Sequence, residues 1–346
     1  MGRTLLWASL LLAPLTIAVD ALTGAGDVTL FALSAAALVP LAWLIGEATE
    51  HAAEHTGPGI GGFINASFGN APELIVALFA LGANLPQVVR GSLSGSVFSN
   101  LLLVLGVTLL AGPDGGEVDR RSLFPQLGLV GVAVVALVAP VAVGHGGDPE
   151  RHAAVVASLP VAALLLLLYG GVVGRNLRRH SRTRRDEPRE GAWTLYQSLL
   201  ALAVATGATA WVSEILVHSL HAFAAAVGLS EFFIAVVIVA IVGNAAEHGG
   251  AVLIARRGNM RLASEIAISS SAQVALLVVP VVMLLSLLFA HPFALAFRWG
   301  ELAAMGGAVV AATAVVHDGR TRRWEGALLV AAYAAAVVGF YLAAGR

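Results

Sequence analysis

Apolar stretches of roughly 20 residues follow one another along almost the whole chain, separated by short polar or charged segments. A helix rises ~1.5 Å per residue, so each stretch is long enough to cross about 30 Å of hydrocarbon. The pattern predicts eleven spans, at 4–22, 28–55, 61–83, 87–111, 123–143, 152–174, 193–224, 228–255, 262–289, 292–316 and 324–344. Threaded from a cytoplasmic N-terminus, these spans put Arg3, Arg120, Arg121, the run from Arg175 to Arg189, then Arg256, Arg257, Arg261, Arg320, Arg322 and Arg323 on the inner side. Arg90, Arg151, Arg298 and Arg346 fall outside. This is the asymmetry that the positive-inside rule requires, and it sets the C-terminus outside.

Composition agrees: 58% of the 346 residues are hydrophobic and 12% charged, against about 25% charged in soluble domains. The class is an all-α polytopic integral membrane protein, expected in a prokaryotic inner membrane. The run from Leu5 to Val19 follows Arg3 without a clear small-residue cleavage pattern, so it reads as a first spanning helix. The absence of cysteine excludes disulfides and thiolate metal sites.

A shift of 174 positions lays Gly69, Asn70, Ala71 and Glu73 over Gly243, Asn244, Ala245 and Glu247, and Ser96 over Ser270. Five crossings separate the starts of the two units, an odd number, so they enter the membrane from opposite sides. The organisation is therefore an extra N-terminal helix (1–22), a first inverted five-helix repeat (23–174), a linker (175–191) and a second repeat (192–346). Inverted repeats of this kind bind substrate at the midplane, on broken helices. The linker is arginine-dense and reads as a cytosolic loop that meets anionic lipid heads, in preference to a nucleic-acid or regulatory segment.

Two carboxylates, Glu73 and Glu247, thus lie at matched positions in mid-membrane, where one charge costs about 2.5–3.5 kcal/mol on insertion scales. Pro72 removes a backbone donor and loosens the helix around Phe68 and Gly69. A hard divalent cation takes about six to eight oxygens. Glu73, Glu247, Asn70, Asn244 and the main chain of Phe68, Gly69 and Gly243 offer such a set. Ala246 replaces proline in the second copy, so the break there must come from Gly243 or from packing. The plain alternative is a structural pair of acids, but buried carboxylates without a basic partner are poor glue. In a dry site both acids cannot stay ionised when empty, so protons and a cation compete for the same oxygens. If the protein changes face only when neutralised, competition becomes exchange.

Polar side chains in spans 3, 4 and 9 surround this pair. Asn65 and Ser67 precede the first motif, Ser92, Ser94, Ser96, Ser99 and Asn100 stripe span 4, and Ser269, Ser270, Ser271 and Gln273 stripe span 9. Small polar residues also serve close helix packing; the repeat match of Ser96 with Ser270 favours a cavity lined by Asn65, Ser67, Ser96, Ser99, Asn100, Ser270 and Gln273. His248 either couples protons to Glu247 or holds a helix interface.

At the inner end of span 2, Glu47, Glu50 and Glu54 read as an acidic vestibule. The neighbouring His51-x-x-Glu54-His55 formally matches an inverted zinc-peptidase pattern, so an intramembrane zinc hydrolase is a distant alternative. Glu214 in span 7 reads as interfacial.

The phrases Asn65-Ala66-Ser67-Phe68-Gly69-Asn70-Ala71-Pro72-Glu73-Leu74 and Val242-Gly243-Asn244-Ala245-Ala246-Glu247-His248 resemble the calcium/cation antiporter superfamily, and within it the cation/proton exchanger family. Gly46-Glu47-Ala48-Thr49-Glu50 and Gly95-Ser96-Val97-Phe98-Ser99-Asn100-Leu101 support the likeness, which extends over essentially the entire chain. The resemblance implies eleven spans, a five-plus-five inverted repeat, and calcium binding and proton carriage by Glu73 and Glu247. His248 resembles the proton-coupled branch. The linker departs from the acidic helix of many relatives, and Ser269 stands where a glycine is common. The expected function is Ca2+ export against inward protons, with no cofactor and no covalent chemistry. Sodium- or potassium-for-proton exchange, broad divalent exchange and a passive channel are the transport alternatives. Oligomeric state stays open.

Overall fold

The computed structural model describes residues 2–144, 151–180 and 193–344, without the side chains of 2–3, 57–63, 65–67, 151, 176–180 and 344. Its helices are α1 (Gly2–Ser9), α2 (Leu12–Thr23), α3 (Asp27–Phe68), α4 (Ala71–Gly82), α5 (Pro86–Ser99), α6 (Leu105–Ala111), α7 (Arg120–Ala136), α8 (Val138–Val143) and α9 (Arg151–His180). After the linker come α10 (Leu195–Val227), α11 (Glu231–Ile234), α12 (Ala240–Gly243), α13 (Ala245–Arg256), α14 (Met260–Gln273), α15 (Val279–Ser286), α16 (Trp299–Val316) and α17 (Arg323–Ala344). Wider π-helical turns at Asn100–Val104, Ala235–Val239 and Val274–Val278 join α5 to α6, α11 to α12 and α14 to α15. Among the described residues the only β pairing is an isolated bridge between Glu117 and Arg320.

Nine helical stretches among the described residues are long and apolar enough to cross a membrane; α11–α12 and α13, bent by 58° at their break, make ten if the pair is counted as one span. The eleventh expected span, 61–83, has only the 12-residue α4 as its apolar helix. Helix α3 also runs through 56–60, where a turn between spans 2 and 3 was expected. Pro58 removes one backbone donor, which need not end a helix; Pro125 and Pro160 lie inside α7 and α9 in the same way. The chain breaks instead at Gly69 and Asn70.

The spacing of 174 recurs in the backbone. Helix α4, helix α5 and the π turn at Asn100 begin and end 174 positions before α13, α14 and the π turn at Val274. Asn70, with φ −96° and ψ 14°, matches Asn244, with φ −93° and ψ 9°. Both motif helices are thus broken by the same backbone conformation, one with proline nearby and one without.

Helices α3 and α10 pack antiparallel. Phe31 stacks on Phe223 at 4.1 Å near one end, and His51 stacks on Trp193 at 4.8 Å near the other. Glycines let other helices approach closely. A methyl group at Gly91 would meet the carbonyl oxygen of Phe232 at 2.9 Å, and one at Gly326 that of Gly106 at 2.6 Å. Such small-residue crossings are how membrane helices maximise van der Waals contact where lipid gives no hydrophobic drive. Helix α5 is thereby locked against α11 and the π turn beside it, and almost all of its residues are buried.

Candidate functional site

The two breaks bring the motifs together. Asn70 and Asn244 are each about 1% exposed and Glu73 is 6% exposed. The Glu73 side chain lies against Gly243, where a methyl group would meet its Cγ at 3.3 Å and its Oε1 at 3.6 Å. Gly243 is one turn ahead of Glu247, so the glycine of the second motif makes room for the carboxylate of the first. One carboxylate oxygen of Glu73, Oε2, is buried with no hydrogen-bond partner.

Asn244 explains its own helix break. Its Nδ2 donates to the carbonyl of Ala240 at 2.9 Å, competing for the acceptor that a continuous helix would give to its backbone N–H. Proline is therefore unnecessary there, and the break expected from Gly243 or packing comes from the asparagine side chain.

Hydrogen bonds link the four central helices. Asn70 Nδ2 donates to Gln273 Oε1 at 2.8 Å. Asn244 Nδ2 donates to Ser96 Oγ at 2.8 Å, and Asn100 Nδ2 to Ser270 Oγ at 3.1 Å. Ser270 Oγ in turn donates to Glu247 Oε2. His248 Nε2 bonds Asn100 Oδ1 at 2.9 Å. Since the Asn100 amide nitrogen is a donor to Ser270, its oxygen is the acceptor and His248 donates through Nε2. His248 therefore reaches Glu247 through Asn100 and Ser270.

Other expected residues fall elsewhere. Ser99 spends its hydroxyl on the carbonyl of Ser96 at 3.4 Å, and Ser92, Ser94 and Ser269 likewise bond carbonyls of their own helices. These hydroxyls are satisfied within their own helices. Ser271 ties α14 to α5 through the Val97 carbonyl at 2.6 Å. The side chains of Asn65 and Ser67 lie outside the described residues, as does most of the linker. Phe68, the last residue of α3, is 39% exposed. At the expected vestibule, His51 sits 3.7 Å from Glu47 and 3.9 Å from Glu54. His55 Nε2 bonds the Trp193 carbonyl at 2.6 Å. Among the described residues no three acidic or histidine side chains converge on a metal position. The zinc pattern thus finds no third ligand among the described residues, and a cation held by Glu73 and Glu247 would complete its shell with neutral oxygens.

Two further acids, one buried and one half-buried, hold helices together. Glu301, fully buried on α16, pairs with Arg90 at 3.2 Å, and Glu265 on α14 accepts from Ser122 at 2.7 Å. Both lie inside predicted spans; an acid within a span is a signal that pattern reading alone supplies.

These broken helices and facing motifs define an ion-exchanger architecture, and the sodium/calcium exchanger protein family matches residues 27–177 and 197–342. The chain belongs to that family. It is 38% identical over 326 residues to the Ca(2+)/H(+) antiporter ChaA of Bacillus subtilis (strain 168), covering 90% of this chain and 92% of that protein. The solved structure of native YfkE superposes with a TM-score of 0.83 at 34% identity, over 99% of this chain and 100% of the other. The H+/Ca2+ exchanger CAX shares the fold, with a TM-score of 0.73 at 17% identity over 95% of this chain and 86% of the other.

Proposed function

We propose that the chain is a secondary active antiporter exchanging cytosolic Ca2+ for protons by alternating access at a midplane site around Glu73 and Glu247. The observation that carries this reading is the seat of the Glu73 carboxylate against Gly243 of the opposite motif, inside a shell of amides and hydroxyls. Oxygen-rich, thiol-free and short of imidazole, that shell suits a hard cation better than zinc. In this reading Glu73 and Glu247 take either the cation or protons. Asn70, Asn244, Gln273 and the carbonyls of Phe68, Gly69 and Gly243 supply neutral oxygens as the helices shift, and His248 positions Asn100 and Ser270. The names of the relatives support calcium as cargo and protons as counter-ion.

The repeated backbone supports two inverted units at 23–174 and 192–346, with helix 1–22 outside the duplication and 175–191 as a cytoplasmic linker. The arginine distribution supports an N-terminus inside and a C-terminus outside a prokaryotic inner membrane. The test is 45Ca uptake into inside-out vesicles with an acid lumen. Uptake should collapse when the pH gradient is dissipated, and Glu73→Gln should lower it roughly tenfold or more, as loss of a charged ligand implies. Undiminished uptake by Glu73→Gln, or uptake indifferent to the gradient, would overturn the assignment.

A further inference from the structure

Two loops from opposite halves of the chain pair at one end of the bundle. Between α6 and α7 and between α16 and α17, the Gly115 N–H donates to the Thr321 carbonyl at 2.7 Å, the Thr321 N–H to that of Gly116 at 2.8 Å and the Val118 N–H to that of Gly319 at 3.1 Å. This pairing gathers the first turns of three helices. Ser122 Oγ donates to Glu265 at 2.7 Å, which brings the start of α7, with Arg121, to the start of α14, with Arg261. Arg323 Nε reaches the Gly112 carbonyl at 3.4 Å, and the side chain of Met260, next to Arg261, packs on the same glycine. Arg121, Arg261, Arg320 and Arg323 are exposed, and among the described residues no carboxylate forms an ion pair with them. The acids close by are engaged elsewhere. Asp114 and Asp119 accept the backbone N–H groups of Arg323 and Arg121, and Asp318 and Glu325 hold Arg322; Glu117 sits opposite Arg320 in the bridge between the loops. Leu262 and Trp324, each next to one of these arginines in the chain, are 44% and 58% exposed.

We propose that this arginine cluster is a binding site for the headgroup of an anionic phospholipid, whose upper acyl chains lie against Leu262 and Trp324. Orientation alone asks only for basic residues in loops on one side. Here helix starts from both halves converge through a defined backbone pairing. A guanidinium carries its N–H groups in a fork that matches phosphate oxygens, so one phosphate can be held by two or more of these arginines. The exposed leucine and tryptophan decide for a lipid over a free phosphate ion, which gains nothing from apolar neighbours; tryptophan also belongs at headgroup level. A lipid seated there ties α7 to α14 and α17 and so joins the two halves at their rim. The site is separate from Glu73 and Glu247, and its occupant does not depend on which ion the chain carries.

The test reconstitutes the full chain in phosphatidylcholine that contains either brominated phosphatidylglycerol or brominated phosphatidylcholine, since bromine quenches the fluorescence of a tryptophan in contact with it. The signal of Trp324 is the difference between the wild-type protein and Trp324→Phe. Phosphatidylglycerol should quench Trp324 at a lower mole fraction than phosphatidylcholine, and the preference should shrink as salt is raised. Arg121→Gln/Arg261→Gln/Arg320→Gln should lose about tenfold or more of the preference, as removal of three basic residues at a membrane surface implies. Arg121→Lys/Arg261→Lys/Arg320→Lys, which keeps the charge, should stay within about threefold of wild type. Inorganic phosphate should not displace the brominated lipid. Equal quenching of Trp324 by the two lipids, an unchanged preference in the glutamine variant, or displacement by inorganic phosphate overturns the site. The first of these outcomes is read with every arginine in place, so it decides even where the glutamine variant does not fold.

Discussion

Asn70 and Gln273, 203 positions apart in the chain, are joined by a 2.8 Å hydrogen bond from the asparagine amide to the glutamine oxygen. The bond fastens the first broken helix to the inner helix of the opposite half. Gln273→Leu should cost about 1–3 kcal/mol, because it removes that acceptor from a buried amide donor. The expected result is a lowered melting temperature in detergent together with a raised KM for calcium uptake. Unchanged values for both would show that the contact holds nothing.

His248 donates to Asn100, which orders Ser270 beside Glu247. A side chain that keeps the donor should keep the arrangement, so His248→Gln should transport with a near-normal KM and the wild-type pH profile. His248→Leu should raise KM roughly fivefold, the equivalent of losing about 1 kcal/mol of hydrogen bonding. A shifted pH profile in the glutamine variant would instead give the imidazole a part in proton transfer.

Glu301 is fully buried and meets Arg90 at 3.2 Å. Removing one partner of a buried ion pair costs about 3–5 kcal/mol, whereas removing both is far cheaper. Arg90→Ala should therefore destabilise severely, and Arg90→Ala/Glu301→Leu should recover most of the loss in a thermal-unfolding assay. A double variant no better than the single would place the cost elsewhere.

A methyl group at Gly95 would overlap the carbonyl oxygen of Val236 and come within 2.8 Å of the Ala240 side chain. Gly95→Ala should cost about 1–3 kcal/mol by overpacking, and Gly95→Val more. Gly128, with nothing near it, gives the control: Gly128→Ala should leave the melting temperature unchanged or raised. Equal behaviour at the two glycines would refute the packing argument.

Much of this was readable from residues because membrane physics restricts the choices. Hydrocarbon thickness fixed the length of most spans, and the duplication at 174 positions located both breaks to within a residue. Three things were not readable. The break at Asn244 depends on a side chain bonding its own helix, which looks no different in sequence from an asparagine that lines a cavity. Ser99 and Ser96 are the same residue three positions apart, yet only Ser96 faces Asn244, since a helix turns about 300° over that interval. The pairing of Glu301 with Arg90 joins helices remote in the chain, and no local pattern encodes it.

Helices α4 and α13 both start directly after a broken asparagine, and each carries its glutamate as third residue. A helix start bears about half a positive charge, so the two starts together offset roughly one of the two negative charges. A divalent guest would therefore meet a milder field than a bare pair of carboxylates would create. On the antiport proposal, the pair would hold such an ion without becoming a trap for it, and turnover requires that release.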